Sequence, residues 1–240
     1  MIADEPRQFP ALGSPAAEVL EAGAFCREIV AFVERELPVW RQRPELAQVE
    51  DEPRLNQSLC LHLDKSSRRS FDSIRFVQEP IQGSGRNADI GVFPVNTINM
   101  EGTDFSDHEQ LLPIECKRLP TPPDSRRSDL EYVHGLPGHR TGGIERFKHG
   151  SHGRTNQRAL MIAYVQADSL AHWMTAINAR LTQLAANGTD AGLWSPCEPL
   201  SRDAWLYGNA VHRLTSSHRR LTPPSCSPEV AMDHLWLLMN

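Results

Sequence analysis

Two acidic residues and a lysine carry the chemistry that this sequence offers. Asp89 stands at the head of the apolar run Ile90-Gly91-Val92-Phe93, and Glu115 and Lys117 lie inside Leu112-Pro113-Ile114-Glu115-Cys116-Lys117-Arg118-Leu119. Both runs have the short apolar flanks of β-strands, and the two-residue period of a strand sets Glu115 and Lys117 on one side. A divalent cation held by Asp89 and Glu115 would lower the pKa of bound water, while Lys117 positions the nucleophile or offsets phosphate charge. Such a set suits hydrolysis of a phosphodiester. The simpler alternative is a structural ion pair between Glu115 and Lys117, which does not need Asp89 nearby.

Around this set, Arg118, Arg146, Lys148 and His218 are the candidates for contact with nucleic acid, because phosphate contacts rest on cationic side chains. Arg146 and Lys148 fall in a short helical piece, Ile144-Glu145-Arg146-Phe147-Lys148, for which a solvated face is the ordinary reading. The pair Gly142-Gly143 before it could bring backbone N–H groups to a phosphate or merely make a turn. His218 sits in the basic stretch Ser216-Ser217-His218-Arg219-Arg220. His149 and His152, in a Gly-rich break, have poor spacing for structural zinc. Gly83-Ser84-Gly85-Arg86-Asn87-Ala88 spells a dinucleotide fingerprint, but a strand pattern follows it where that fingerprint needs a helix. No P-loop and no G-x-S-x-G elbow occurs, so ATP hydrolysis and α/β-hydrolase chemistry are not expected.

A chain of 240 residues with 40% hydrophobic and 23% charged residues can bury one sizeable core. We expect an N-terminal leader and helix over residues 1–49 that packs on a single domain spanning 50–240. A net charge of −5 argues against indiscriminate coating of nucleic acid and leaves room for a local basic groove. Cys26, Cys60, Cys116, Cys197 and Cys226 are odd in number and lack any Cys-x-x-Cys pair, so reduced thiols are expected. No apolar run has the length of a membrane span and the first ten residues do not read as a signal peptide, so the expected setting is cytoplasmic, without membrane contact.

The elements that must position the site follow from periodicity. Ser14-Pro15 reads as a helix start, followed by an apolar face that Pro38 closes. A second helix starts near Glu52-Pro53, with Leu55, Leu59 and Leu63 at four-residue spacing, and ends before the polar stretch 66–69. Strands are expected over 71–77, 88–95 and 111–119, with residues 96–110 an irregular excursion between the last two. The apolar run 159–165 reads as a buried strand. Asp168 is the expected N-cap of a helix reaching Ala186, which Asn187-Gly188 closes. Two late strands are expected over 205–214 and 234–239. Trp194, Trp205 and Trp236 either read as exposed, hinting at a partner surface, or simply cap the core.

This order, with Asp89 and Glu115-Cys116-Lys117 on consecutive strands, resembles the PD-(D/E)XK superfamily of restriction-endonuclease-like nucleases. Asp89 matches the first acidic residue of the motif, Glu115 the second and Lys117 its lysine, while Ala88 stands where the name-giving proline is found. The resemblance implies an α/β fold with an αβββαβ core over roughly residues 50–165, a mixed central sheet flanked by helices, and extra C-terminal strands. It also implies Mg²⁺ or Mn²⁺, a Cys116 backbone carbonyl that faces the metal, and an assisting acid on the preceding helix, Glu52 or else Glu50. The implied substrate is DNA, less readily RNA. Residues 114–119, the Gly-Ile-x-Arg-Phe run at 143–147 and the strand near Tyr164 further resemble prokaryotic nuclease-like proteins of anti-phage defence, which implies a homo-oligomer or a partner ATPase or sensor. The same fold used as a catalytically silent binding or assembly module is the competing expectation.

Overall fold

The most apolar run in the chain becomes the middle of a mixed sheet. The computed structural model describes residues 22–46, 49, 51–80, 88–100, 102–187, 193–202, 210–221 and 228–239. Its elements are α1 (Ala22–Arg41), α2 (Glu52–Ser70), β1 (Ile74–Gln78), β2 (Ile90–Pro94), β3 (Ile98–Met100), β4 (Thr103–Phe105), β5 (Leu112–Leu119), α3 (Gly143–Lys148), β6 (Arg158–Val165), α4 (Leu170–Ala186), β7 (Val211–Arg219) and β8 (Glu229–Leu238). Six strands hydrogen-bond in the order β1-β2-β5-β6-β8-β7. β1, β2 and β5 are antiparallel neighbours, β5, β6 and β8 run parallel, and β7 returns antiparallel to β8. The protein is therefore α/β, a mixed six-stranded sheet flanked by helices. Among the described residues, no helix is long and apolar enough to cross a membrane.

Strand alternation divides the core in two. Ile114, Cys116, Leu160, Ile162, Tyr164 and Leu235 face α1 and α2, whereas Leu119, Met161, Ala163 and Trp236 face the other layer with Phe147, Trp173 and Ile177. Leu55, Leu59 and Leu63 are fully buried on α2, as their four-residue spacing predicts.

Several element boundaries differ from the sequence expectation, each for an identifiable reason. The proposed start at Ser14-Pro15 lies outside the described residues. Pro38 does not close the first helix; α1 runs on to Arg41, because Leu37 and Trp40 are both buried and the Trp40 indole N–H donates to Ser58 Oγ at 3.1 Å. α2 continues through the polar stretch 66–69, where Arg68 pairs with Asp64 one turn earlier, and β1 accordingly starts at Ile74 rather than residue 71. Residues 96–110 hold the small hairpin β3–β4, with Ile98 opposite Phe105. Ser169, not Asp168, caps α4, accepting from the His172 N–H at 3.1 Å; Asp168 takes φ 62°, a left-handed turn that Asp tolerates. β7 and β8 begin and end elsewhere than predicted because Ser216, His218, Asp233 and His234 are polar yet buried, which erases the hydrophobic signature. Trp194 and Trp236 are buried, the core-capping alternative and not the partner surface; Trp205 lies outside the described residues.

Pro38 lacks the N–H that would reach the Glu34 carbonyl, and an interior proline costs a helix about 3 kcal/mol. Pro38→Ala is expected to raise stability by roughly 1–3 kcal/mol in urea unfolding. A loss of stability would show that packing of Leu37 and Trp40 depends on the proline.

Candidate active site

The site forms where two neighbouring strands part. β2 pairs with β5 at Val92–Leu112, Gly91–Pro113 and Ile90–Ile114 and then ends, whereas β5 runs on to Leu119. One step past the last pair, Asp89 stands opposite Glu115 on the face away from Ile90 and Ile114. Beyond that step, the N–H groups of Cys116 and Arg118 on the vacated edge of β5 have no strand to bond. Two carboxylates take them: the Cys116 N–H donates to Asp89 Oδ2 at 2.7 Å, and the Arg118 N–H donates to Glu52 Oε2 at 3.3 Å. Within a strand the N–H and C=O of one residue leave by the same edge, so the Cys116 carbonyl also faces Asp89. Its thiol points to the opposite face, in the core beside Tyr164, where burial pushes its pKa far up.

Glu52 belongs to the first turn of α2, on the other layer, and the parting of β2 from β5 lets it reach through. Lys117 Nζ donates to Glu52 Oε1 at 3.2 Å and lies 3.0 Å from Glu115 Oε1. Arg146, from α3, donates through Nη1 to the same Glu115 oxygen. Glu115 is completely buried, and burial alone would raise its pKa; Lys117 and Arg146, with His152 adding to them, overcome this and hold it well below the usual carboxylate range. Burial would lower the pKa of Lys117, but Glu115, Glu52 and Asp89 outweigh it and raise the ammonium above its ordinary value. Lys117 is a committed cation, a donor and not a base. Asp89 is the reverse case: burial, then the Glu115 charge, pushes it up to about 7, although its residue surface is only partly covered.

His152 is the participant that sequence reasoning missed. Its Nδ1 comes within 3.1 Å of Glu115 Oε2, yet neither atom is aligned for a hydrogen bond, and Nε2 has no partner among the described residues. The Gly-rich break delivers it. Ser151 donates its N–H back to the Arg146 carbonyl at 2.9 Å, and Gly150 and Gly153, at φ 64° and 53°, bracket the histidine in left-handed turns; a Cβ at Gly153 would lie 2.5 Å from Pro113 Cγ. Two glycines enclosing a histidine were the available signal. Arg127 is a second unforeseen neighbour, with its Nε donating to Glu131 Oε2 at 2.6 Å and Nη2 standing 4.0 Å from Glu52 Oε1.

Among the described residues, no group of three or more His, Cys, Asp or Glu side chains is gathered to hold a metal. The donors at hand are the carboxylates of Asp89 and Glu115 and the Cys116 carbonyl, an all-oxygen set of the kind that Mg²⁺ uses while keeping several waters. Glu115 Oε2 is buried without a hydrogen bond and the Asp89 charge is short of compensation, so the residues fit a hard divalent cation. Glu50 lies outside the described residues.

The other predicted contacts separate. Arg118 alternates to the Cys116 face and donates to Gln166 Oε1 at 2.7 Å, away from Glu115. Gly142 and Gly143 do make a turn: the Gly143, Ile144 and Glu145 N–H groups donate to the carbonyls of Glu131, Tyr132 and Val133, so none points at a ligand. A Cβ at Gly142 would meet the His134 backbone at 2.1 Å. Lys148 and His218 are fully buried, not on the open surface that the expected contact with nucleic acid calls for. The helical period of α3 turns Lys148 inward, where it donates to Glu198 at 2.6 Å and lies over the Trp194 ring.

Both belong to a polar chain within the second core layer. The Trp236 indole N–H donates to Tyr132 Oη at 3.1 Å, Tyr132 Oη lies 2.7 Å from His234 Nδ1, and Ser216 Oγ lies 2.8 Å from both His234 Nε2 and His218 Nε2. His218 Nδ1 then stands 3.5 Å from Glu198 Oε2. Donor counting assigns one proton order: Tyr132 gives to His234, which gives to Ser216, which gives to His218, which gives to Glu198. Both imidazoles are neutral in this order. Burial lowers the pKa of His218, and burial, with the repulsion that a second proton would meet from a protonated His218, lowers His234 to about 3.

These shifts set two pH responses. A histidine whose folded pKa is depressed leaves stability intact above the unfolded value near 6.5 and removes it as pH falls, since the unfolded chain binds the proton first. The contribution of His234 to unfolding free energy is expected to fall by about 1.4 kcal/mol per pH unit between pH 6.5 and its depressed folded value, and His234→Phe is expected to remove that contribution while lowering stability at neutral pH. Asp89 has the opposite sign for a carboxylate: with its folded pKa raised above the unfolded 3.8, stability present below pH 3.8 is lost as pH rises toward 7. Asp89→Asn keeps an acceptor for the Cys116 N–H and removes the charge. It is expected to stabilise the protein by roughly 1–3 kcal/mol at pH 8, and by nothing near pH 4, in parallel urea titrations.

No family model, curated protein or solved structure matches this chain.

Proposed function

We propose that the protein is a metal-dependent nuclease that hydrolyses phosphodiester bonds of DNA, built on a restriction-endonuclease-like core. The observation that carries this reading is the parting of β2 from β5, which brings Asp89, Glu115, Lys117 and Glu52 from three elements to one partly open point. The element order α2-β1-β2-β5-α3-β6 is that of the αβββαβ core, with the β3–β4 hairpin inserted before its third strand. The setting in defence against foreign DNA rests only on the resemblance of residues 114–119, 143–147 and the strand near Tyr164.

Asp89, Glu115 and the Cys116 carbonyl would hold Mg²⁺ or Mn²⁺, which lowers the pKa of water and offsets phosphate charge when bound. Lys117, kept charged by Glu115 and Glu52, orients the attacking water by donating a hydrogen bond and stabilises the developing negative charge. Glu52 fixes the lysine and caps the Arg118 N–H. Arg127 and Arg146, at 29% and 21% side-chain exposure, line the open side as cations for the substrate backbone.

Incubation of the full chain with plasmid and linear DNA in Mg²⁺ or Mn²⁺ is expected to give cleavage that chelation abolishes. Lys117→Ala and Asp89→Asn should each reduce its rate by about 10²–10⁴-fold. Equal cutting by the variants would refute the site.

One observation favours a silent binding module: Glu115 Oε1 is already ion-paired with both Lys117 and Arg146, as a purely structural carboxylate would be. Such a module predicts no Asp89-dependent affinity for Mn²⁺.

A further inference from the structure

Glu115 is held by two cations that differ in how firmly they are tied. Lys117 is buried, 4% exposed, and bridges Glu115 to Glu52, so it has nowhere else to go. Arg146 makes a single-point contact, Nη1 to Glu115 Oε1, while its Nε is buried without a hydrogen-bond partner. A guanidinium can grip a carboxylate through two parallel N–H groups, and here it does not. Its side chain also keeps 21% exposure, so it is not sealed in as Glu115 is. When Arg146 leaves, Glu115 does not lose its place: Lys117 remains on Oε1 and His152 beside Oε2.

Charge counting points the same way. Four carboxylates, Asp89, Glu115, Glu52 and Glu131, face three cations, Lys117, Arg127 and Arg146, through the contacts of this cluster. With all of them ionised, the cluster is one charge negative with Arg146 on Glu115 and two charges negative without it. The second count is the one that a divalent cation neutralises.

We propose that Arg146 is an exchangeable counter-ion, which neutralises Glu115 in the empty site and moves onto a phosphate oxygen of the nucleic acid when a divalent cation takes Glu115. The proposal rests on the nuclease reading above and adds a regulation of the same site. A guanidinium fork matches a phosphate as well as it matches a carboxylate. The exchange keeps the site within one charge of neutrality in both states, so metal without substrate, or substrate without metal, is the disfavoured combination. Arg146 and the metal therefore compete, whereas Arg146 and the DNA cooperate.

The two effects have opposite signs, which a structural salt bridge would not produce. Calorimetric titration of the full chain with Mn²⁺ alone is expected to give about tenfold tighter binding for Arg146→Gln than for the unaltered protein, since a competing charge has been removed from one ligand. Titration with a short DNA duplex in Ca²⁺ is expected to give about tenfold weaker binding for the same variant. Arg146→Lys keeps the charge and loses the fork, so its Mn²⁺ affinity should stay near that of the unaltered protein while duplex affinity falls. Unchanged or weaker Mn²⁺ binding by Arg146→Gln, with the fold verified by melting, would overturn the exchange and leave the metal site standing. Absence of Mn²⁺ binding from both proteins, or binding that Asp89→Asn does not alter, would overturn the nuclease reading along with it.

Discussion

The structure turns on an unpaired strand edge. β5 outruns β2, and the N–H groups of Cys116 and Arg118 are left without a strand partner inside a covered sheet. Buried backbone donors are seldom left unmade because each costs about 1–3 kcal/mol. Asp89 and Glu52 supply the acceptors. The carboxylates that finish the sheet are thus the same ones that make the site, and a strand of equal length in the place of β2 would remove both the opening and the reason for the acids.

Everything charged nearby follows from that arrangement. Two acids brought to one buried edge repel each other and Glu115, and the cost is met by cations from three places: Lys117 from the strand itself, Arg146 from α3 and Arg127 from the loop before it. Buried ion pairs of this kind contribute little net stability once desolvation is counted. Their retention in the core of a sheet argues that they serve placement and charge control more than folding. Asp89, raised toward neutrality by its surroundings, is the member whose acceptor the fold uses but whose charge it only tolerates.

Much of this was legible in the residues. The apolar flanks and period-2 alternation located β2, β5 and β6, and the Glu-x-Lys spacing put Glu115 and Lys117 on one face. The helix start at Glu52-Pro53 was readable from spacing, whereas Glu52 as a site acid came only from the family resemblance, with Glu50 as its alternative. What periodicity could not show is any partner brought by a turn, and His152 and Arg127 arrive in that way. It also failed where polar residues are buried. Ser216, His218 and His234 interrupt the apolar pattern of β7 and β8, and Lys148 looks like a surface cation on a short helix until Glu198 and Trp194 are seen around it. Hydrophobic pattern predicts burial only for groups that are buried because they are hydrophobic.

The chain of hydrogen bonds from Trp236 through Tyr132, His234, Ser216 and His218 to Glu198 admits one direction of donation. Such a chain has a sense, like a one-way sequence of links, and no member can be exchanged for a residue of different donor count without stranding both neighbours. Its positions are therefore substitutable as a set rather than singly. Among proteins that share this core, residues 132, 216, 218 and 234 should vary together or not at all, and that joint pattern offers a way to recognise distant kin by a feature remote from the chemistry.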